Sequence, residues 1–423
     1  GLGGGMLMPL ALTIIGDLTT GESRAKFQGL FMAVFGLSSI AGPQLGGWIV
    51  DYWSWEWIFY INLPFGVLAA IFISIGLKDA HVKKEVIIDW AGIITLVAGI
   101  VSLLLALSFG GKEYEWGSGQ IIGLFAAAVV FLTAFVFVER KAKDPVISMS
   151  LFGDRLFSIV NLVGFLMSLG MFGAIMFIPL FMQGVVGMSA TQAAYVMTPM
   201  MLGSMVASIL GSKLLFKIGL RWTLIGGMAV MVYGFIRFLN LGLDTTQMQA
   251  SIDMVVMGIG MGLIMPSLSI AVQEAFPAEI RGTVTSATTF FRSIGGTVGI
   301  ALLGAVFNNK SIDLIGNKLD AIFQGFGSEG GKLLDLAHTN PQGLYSSLLN
   351  PTFLQEMPQQ VAEMFSNQVM PILKNALLDS LHSVFGVSIW FLVGGILIAF
   401  FTPKVKFSDR KKPAKQVEEA PQA

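Results

Sequence analysis

Continuous apolar runs of about 20 residues recur along this chain, near 2–17, 28–50, 57–77, 90–109, 119–138, 157–182, 191–214, 221–241, 250–272, 284–307 and 384–402. A helix of about 20 residues rises about 30 Å, the thickness of a bilayer's hydrocarbon core, and satisfies its backbone hydrogen bonds within itself. The runs do not alternate and far exceed the roughly ten residues of a barrel strand, which argues against a β-barrel. With 54% hydrophobic and 12% charged residues and a mean hydropathy of +0.74, the chain is too apolar to keep a soluble surface wet. It is read as an all-α integral membrane protein with about eleven transmembrane helices.

A block near the start recurs at one constant offset. Gly3, Gly5, Met8, Pro9, Glu22, Arg24, Gly42 and Gly47 are matched 257 positions later by Gly260, Gly262, Met265, Pro266, Glu279, Arg281, Gly299 and Gly304, and acidic Asp17 by acidic Glu274. An offset held through two apolar segments and the charged loop between them marks an internal duplication. Two copies of one membrane unit is the plan of a secondary transporter. Three apolar segments precede the second copy within its half and none precedes the first, so the sequence predicts three further helices ahead of Gly1, fourteen in all. On this plan residues 1–77 are the remainder of the N-terminal half, 78–156 an inserted helix pair and cytoplasmic loop, and 157–307 the first five helices of the C-terminal half. An extracytoplasmic loop over 308–382, a last helix over 383–402 and a basic tail over 403–423 complete it.

Charge is balanced at 26 against 26 but placed unevenly. If the loops near 18–27, 78–89, 139–156, 213–221 and 273–283 and the tail share one side, that side holds 19 of the 26 Lys and Arg. Positive-inside asymmetry then places those loops and the C-terminus in the cytoplasm of a multi-pass protein of the cell membrane. The 308–382 segment carries four Lys against seven Asp or Glu. Phe353, Met357, Val361, Met364, Phe365, Val369 and Ile372 recur there at helical spacing, the pattern of amphipathic surface helices. The tail, with Lys404, Lys406, Arg410, Lys411, Lys412 and Lys415, is suited to anionic lipid.

Soluble-enzyme chemistry has no parts here. There are no cysteines, and His81, His338 and His382 are scattered, so neither a metal site nor a catalytic triad is assembled. No Gly-Lys-Ser/Thr phosphate loop is present, which argues against ATP as energy source. No cofactor, metal, enzymatic activity or nucleic-acid partner is expected.

Ala41-Gly42-Pro43-Gln44-Leu45-Gly46-Gly47 resembles the antiporter motif of drug:proton exchangers, and Trp55-Glu56-Trp57-Ile58-Phe59-Tyr60-Ile61-Asn62-Leu63-Pro64-Phe65-Gly66 resembles the entry to the following helix in the fourteen-helix drug:H+ antiporter family. That family is a branch of the major facilitator transporters and usually has Arg where Glu56 stands and Gly where Ser38 stands. An inserted helix pair between parallel halves fits the same plan. Gly42, Gly46 and Gly47 would admit a close neighbouring helix, and Pro43 would favour a bend. Gly211-Ser212-Lys213-Leu214-Leu215-Phe216-Lys217-Ile218-Gly219-Leu220-Arg221 resembles the second-half copy of the family's gating loop, which implies gating roles for Gly211, Lys213, Lys217, Gly219 and Arg221.

A proton-coupled exporter needs a carboxyl that titrates within the membrane, and Asp253, inside an apolar helix, is the first choice. The competing reading is an aspartate at the mouth, already in water. Met257, Met261 and Met265 follow at four-residue steps, giving a slowly rotating face of carboxyl and thioethers suited to lipophilic cations. Arg292, in the slot of Phe35 of the first copy, is a second coupling candidate, set against snorkelling to a membrane face; Arg237 is the other intramembrane charge. Asp17 and Glu274 lie near Glu22-Ser23-Arg24 and Glu279-Ile280-Arg281, which suggests ion pairs within each loop that break as a gate opens. Asn161, Met171, Gln183 and Met197 lie on helices that line the cavity by family analogy.

The expectation is a major facilitator fold carrying out proton-coupled multidrug efflux by alternating access. Its partners would be membrane lipid, protons and small amphipathic or cationic substrates. Export of one specific metabolite, lipid or antibiotic, or a non-transporting receptor or scaffold working through 308–382, are the alternatives.

Overall fold

The computed structural model describes residues 2–19, 21–54, 56–76, 88–111, 114–143, 145–188, 190–277, 280–323, 344–345 and 369–404, with a few side chains within its helices left out. Each apolar run is helical. The helices are α1 (Leu2–Leu18), α2 (Gly21–Tyr52), α3 (Trp57–Tyr60), α4 (Asn62–Gly76), α5 (Trp90–Phe109), α6 (Gly119–Glu139), α7 (Arg155–Gly184), α8 (Ala190–Tyr195), α9 (Met197–Ile218), α10 (Leu220–Phe238), α11 (Gln247–Ala275), α12 (Arg281–Phe323) and α13 (Met370–Ala399). Among the described residues eight spans are long and apolar enough to cross a bilayer on composition alone. α1 is shorter, and α2 and α10 carry charges, including Arg24, Lys26, Arg221 and Arg237.

Local chemistry sets the helix ends. Asp89 accepts from the Gly92 amide to start α5, Asp154 from Phe157 to start α7, and Thr246 from Gln249 to start α11, each satisfying an otherwise orphaned donor. Gly219, at φ +84°, turns the chain from α9 into α10 in a conformation that side-chain-bearing residues rarely adopt.

Two helices run past their apolar spans. α12 has 43 residues, about 65 Å of helix and twice the hydrocarbon thickness, and α13 begins at Met370, well before the run that starts at 384. The extensions touch where Ser311 donates to Ser380 at 2.9 Å, and Phe307 of α12 meets the buried Tyr345, which lies between the two helices in sequence, at a centroid distance of 5.8 Å. Both ends of the 308–382 segment are therefore helix. Its apolar residues Phe353 to Phe365, and the tail from Val405, lie outside the described residues.

The core belongs to the second half. Phe157, Phe177, Phe181, Phe235, Phe238 and Phe385 are fully buried among α7, α9, α10, α11, α12 and α13. Glycines let these backbones approach. A Cβ at Gly258 would strike the Met200 carbonyl, one at Gly262 the Ser204 carbonyl, and one at Gly211 would lie 2.7 Å from Leu263, so α9 and α11 touch through backbone. α7 and α12 do the same at Gly295 against Phe165 and at Gly299 against Leu169, 2.5 Å from its carbonyl. α4 buries no residue and presents an apolar surface all round. The first copy reaches the second through α2 on α9, where Gly29 faces Ile209 and Gly36 faces Met201, and through α1 on α12.

Candidate functional site

The duplicated charges meet, but not within their own loops. Arg24 Nη1 of the first copy bonds Glu274 Oε1 of the second at 2.6 Å, and Arg281 Nη1 of the second bonds Asp17 Oδ1 of the first at 3.4 Å. The pairing expected inside each loop is thus replaced by a crossed pair related by the 257-residue offset. Each arginine stands in the first turn of its helix, where it reaches the end of the preceding helix as well as the carboxylate of the other copy. Arg24 accordingly donates to the Gly16 and Thr19 carbonyls and Arg281 to the Gln273 carbonyl, with Gly16 and Gln273 equivalent in the repeat. Glu279 and the side chain of Glu22 lie outside the described residues.

Next to this lock is a buried amide cluster that the offset also points to. Gln273 stands where the first copy has Gly16, and a Cβ at Gly16 would fall 2.7 Å from the Gln273 side-chain oxygen. Gln28 donates to that oxygen at 2.6 Å, while the Gln273 amide nitrogen donates to the Leu12 carbonyl and to Thr285, each at 3.2 Å. Gln28 and Thr285 are themselves offset by 257. One glutamine therefore fills the space vacated by its own repeat partner, tying α1, α2, α11 and α12 together. Pairs that match in position but not in identity carry this signal in the sequence, and identity matching alone passes over it.

At the opposite end of α11, about 30 Å away, Asp253 is fully buried. Arg237 Nε of α10 donates to its Oδ1 at 2.7 Å, and its Oδ2 has no partner among the described residues. The expectation of an aspartate standing in water at a mouth does not hold, because α10 covers it. The Asp253, Met257, Met261 and Met265 face divides as well. A four-residue step turns a helix about 40° too far, so the stripe rotates away from α10. Met257 packs its sulfur against Gly234 of α10, whereas Met261 and Met265 reach a cavity.

That cavity, about 250 Å³, lies between Gly36 of α2 and the second half. Met171, Met197, Met200, Met201, Met261 and Met265 line it together with Phe172, Ile175, Ser168, Ser204, Ser208, Arg292 and Ser293. Arg292 is buried rather than snorkelling, and neither its Nη1 nor the Ser168 hydroxyl has a partner among the described residues. Asn161 and Gln183 are absent from the wall: their amides donate to Phe157 and Pro179 of their own helix. Ser168, Met200, Met201 and Ser204 are cavity residues without a sequence signature, since a Met or Ser in an apolar helix looks alike on every face.

The antiporter-like motif sits within α2, yet no atom lies within 4 Å of a Cβ placed at Gly42 or Gly46, so the close contact expected there is absent from the described neighbours. Close approach is made instead by Gly299, the repeat partner of Gly42. The side chain of Pro43 and the surroundings of Gly47 lie outside the described residues. In the gating-like loop, Gly211 packs on Leu263 and Arg221 donates to the Thr402 carbonyl at 2.6 and 3.1 Å, clamping the start of α10 to the end of α13. Lys213 and Lys217 line a wider opening of about 940 Å³ between α2 and α9 with Lys26, Phe27 and Phe216.

Two repeated helical units locked together by reciprocal ion pairs, with an apolar cavity between them, define a multi-pass membrane transporter. The chain belongs to the Major Facilitator Superfamily, whose profile matches residues 1–300. It is 49% identical over 423 residues to the multidrug transporter protein MdtP of Bacillus subtilis, covering 99% of this chain and 77% of that protein. It is 40% identical over 347 residues to multidrug resistance protein 3 of the same organism, covering 82% of this chain and 67% of that one. A bacterial homologue of the human lysosomal transporter Spinster aligns over 94% of this chain and 85% of its own at 15% identity, with a TM-score of 0.42.

Proposed function

We propose that this chain belongs to the fourteen-helix drug:H+ antiporter branch and exports amphipathic compounds in exchange for protons, with the Arg24 end and the C-terminus in the cytoplasm. The observation that carries the reading is the crossed lock, Arg24 to Glu274 and Arg281 to Asp17, at one end of a methionine-lined cavity between the copies. Parting the copies at that end breaks both pairs together, as a cytoplasmic gate in alternating access must do. Thioether side chains adapt to ligands of different shape, which suits a broad substrate range. The names of the two Bacillus subtilis relatives support drug efflux.

Coupling is assigned to Asp253. One oxygen is held by Arg237 and the other is buried without a donor among the described residues, which leaves Oδ2 as the oxygen to take the proton. Taking up that proton neutralises the carboxylate and weakens its hold on Arg237. The test is dye accumulation in everted vesicles that carry the chain. Accumulation collapsed by a protonophore, and lost in Asp253→Asn, is expected; accumulation indifferent to the proton gradient would refute the antiporter reading.

A further inference from the structure

The methionine-lined cavity contains one charge among its described residues, and that charge is positive. Arg292 is 7% exposed, a guanidinium keeps its proton under all ordinary conditions, and its Nη1 is buried with no acceptor among the described residues. The Ser168 hydroxyl on the facing helix α7 is completely buried and equally unpartnered. No Asp or Glu stands in the described wall. The nearest described intramembrane carboxylate on α11, Asp253, is already engaged by Arg237. Unsatisfied donors in a low-dielectric setting are costly to leave empty and strongly favour whatever completes them.

We infer that the cavity binds acidic amphiphiles, an aryl or alkyl body against the methionines and a carboxylate, or similar oxyanion, on Arg292 and Ser168. A guanidinium presents paired N–H groups that match a carboxylate, and the serine hydroxyl supplies a further donor. The six methionines and Phe172 give the apolar body a surface that conforms to shape without selecting it. A quaternary ammonium would face Arg292 at close range with no counter-charge, so the described wall disfavours the lipophilic cations that the Asp253-to-Met265 stripe suggested. The position argues likewise: Arg292 replaces Phe35 of the first copy, so the charge is peculiar to one half and unnecessary for the repeated architecture.

This inference rests on the export reading for its biological use but not for its test. The full chain in lipid nanodiscs would be titrated with 1-pyrenebutyrate, 1-pyrenebutanol and (1-pyrenylmethyl)trimethylammonium, which share a fluorophore and differ in charge. The acid should bind about tenfold tighter than the alcohol, and the cation weakest. Arg292→Gln should abolish the preference for the acid, weakening the acid far more than the alcohol, Arg292→Lys should keep part of it, and Ser168→Ala should lower it less than Arg292→Gln. Undiminished preference for the acid in Arg292→Gln, or a cation bound more tightly than the acid by the unaltered chain, would overturn the inference. The comparison within the unaltered chain stands even if the arginine variants do not fold. Charge-selective binding without proton-driven accumulation in vesicles would remove the export reading and leave this site. Export of the cation with no preferential binding of the acid would do the reverse.

Discussion

Arg24 and Glu274, 250 residues apart in the chain, stand 2.6 Å from one another because each belongs to a different copy of the same duplicated unit. Their counterparts, Arg281 and Asp17, make the same contact in the other direction at 3.4 Å. The two pairs are equivalent by repeat but unequal in burial. Arg24 is 1% and Glu274 12% exposed, against 16% and 48% for Arg281 and Asp17.

That inequality predicts different costs for equivalent mutations. Removing one member of the buried pair leaves an uncompensated charge and costs the closed arrangement about 3–5 kcal/mol, whereas the exposed pair contributes about 0.2–1 kcal/mol. With no native cysteine in the chain, a single Ser212→Cys substitution reports on the α2–α9 seam, where Ser212 is buried. Glu274→Gln should raise its labelling by an impermeant maleimide at least about tenfold, and Asp17→Asn should change it little. The double reversal Arg24→Glu with Glu274→Arg should recover protection. Equal labelling in the two single variants would deny the lock its unequal halves.

Arg237 is partly exposed while its partner Asp253 is fully buried, so the pair is asymmetric in another sense. Arg237→Ala strands a buried carboxylate and should lower the stability of the detergent-solubilised protein. Adding Asp253→Asn to Arg237→Ala should restore most of that loss, yet proton-driven accumulation should remain absent. Thermal unfolding combined with vesicle uptake reads both. Restored stability together with restored coupling would place the coupling carboxyl elsewhere.

Gly42 and Gly299 are matched by the duplication but differ in surroundings. At Gly299 a Cβ would press on the Leu169 backbone, so Gly299→Ala should destabilise by about 1–3 kcal/mol as α7 and α12 are forced apart. At Gly42 no described atom is near, and Gly42→Ala should be neutral or stabilising by up to about 1 kcal/mol through helix propensity. Unfolding in mixed micelles would show the order. Its reversal would mean that the antiporter-like motif makes the tighter contact after all.

Gly219 has open space around it, so its cost on substitution is purely conformational. Gly219→Ala should lose about 1–3 kcal/mol because φ +84°, ψ 163° is a region open essentially to glycine alone, whereas Gly226→Ala, inside α10 and equally uncrowded, should gain up to about 1 kcal/mol. The same unfolding measurement on both variants separates backbone strain from packing.

The eleven apolar runs predict eleven helical segments because burial in lipid leaves a 20-residue apolar stretch no other way to satisfy its backbone. The 257-residue offset likewise marks which residues are equivalent, and Arg24, Arg281, Asp17 and Glu274 are legible as a set. Periodicity within one helix says which residues share a face, but not which neighbour that face meets. Hence the crossed partners of the two arginines, the separation of Met257 from Met261 and Met265, and the capture of Asp253 by Arg237 come only from how α1, α2, α10, α11 and α12 are arranged. Glycine behaves the same way: Gly42 and Gly299 are interchangeable letters in the chain, and only the approach of α7 gives one of them a neighbour to fit. What the sequence alone determined is membrane residence, helicity and duplication, all set by local hydrophobicity and repetition. The lock and the cavity with its buried Arg292 were decided by tertiary structure, because they depend on contacts between segments separated by as many as 264 residues.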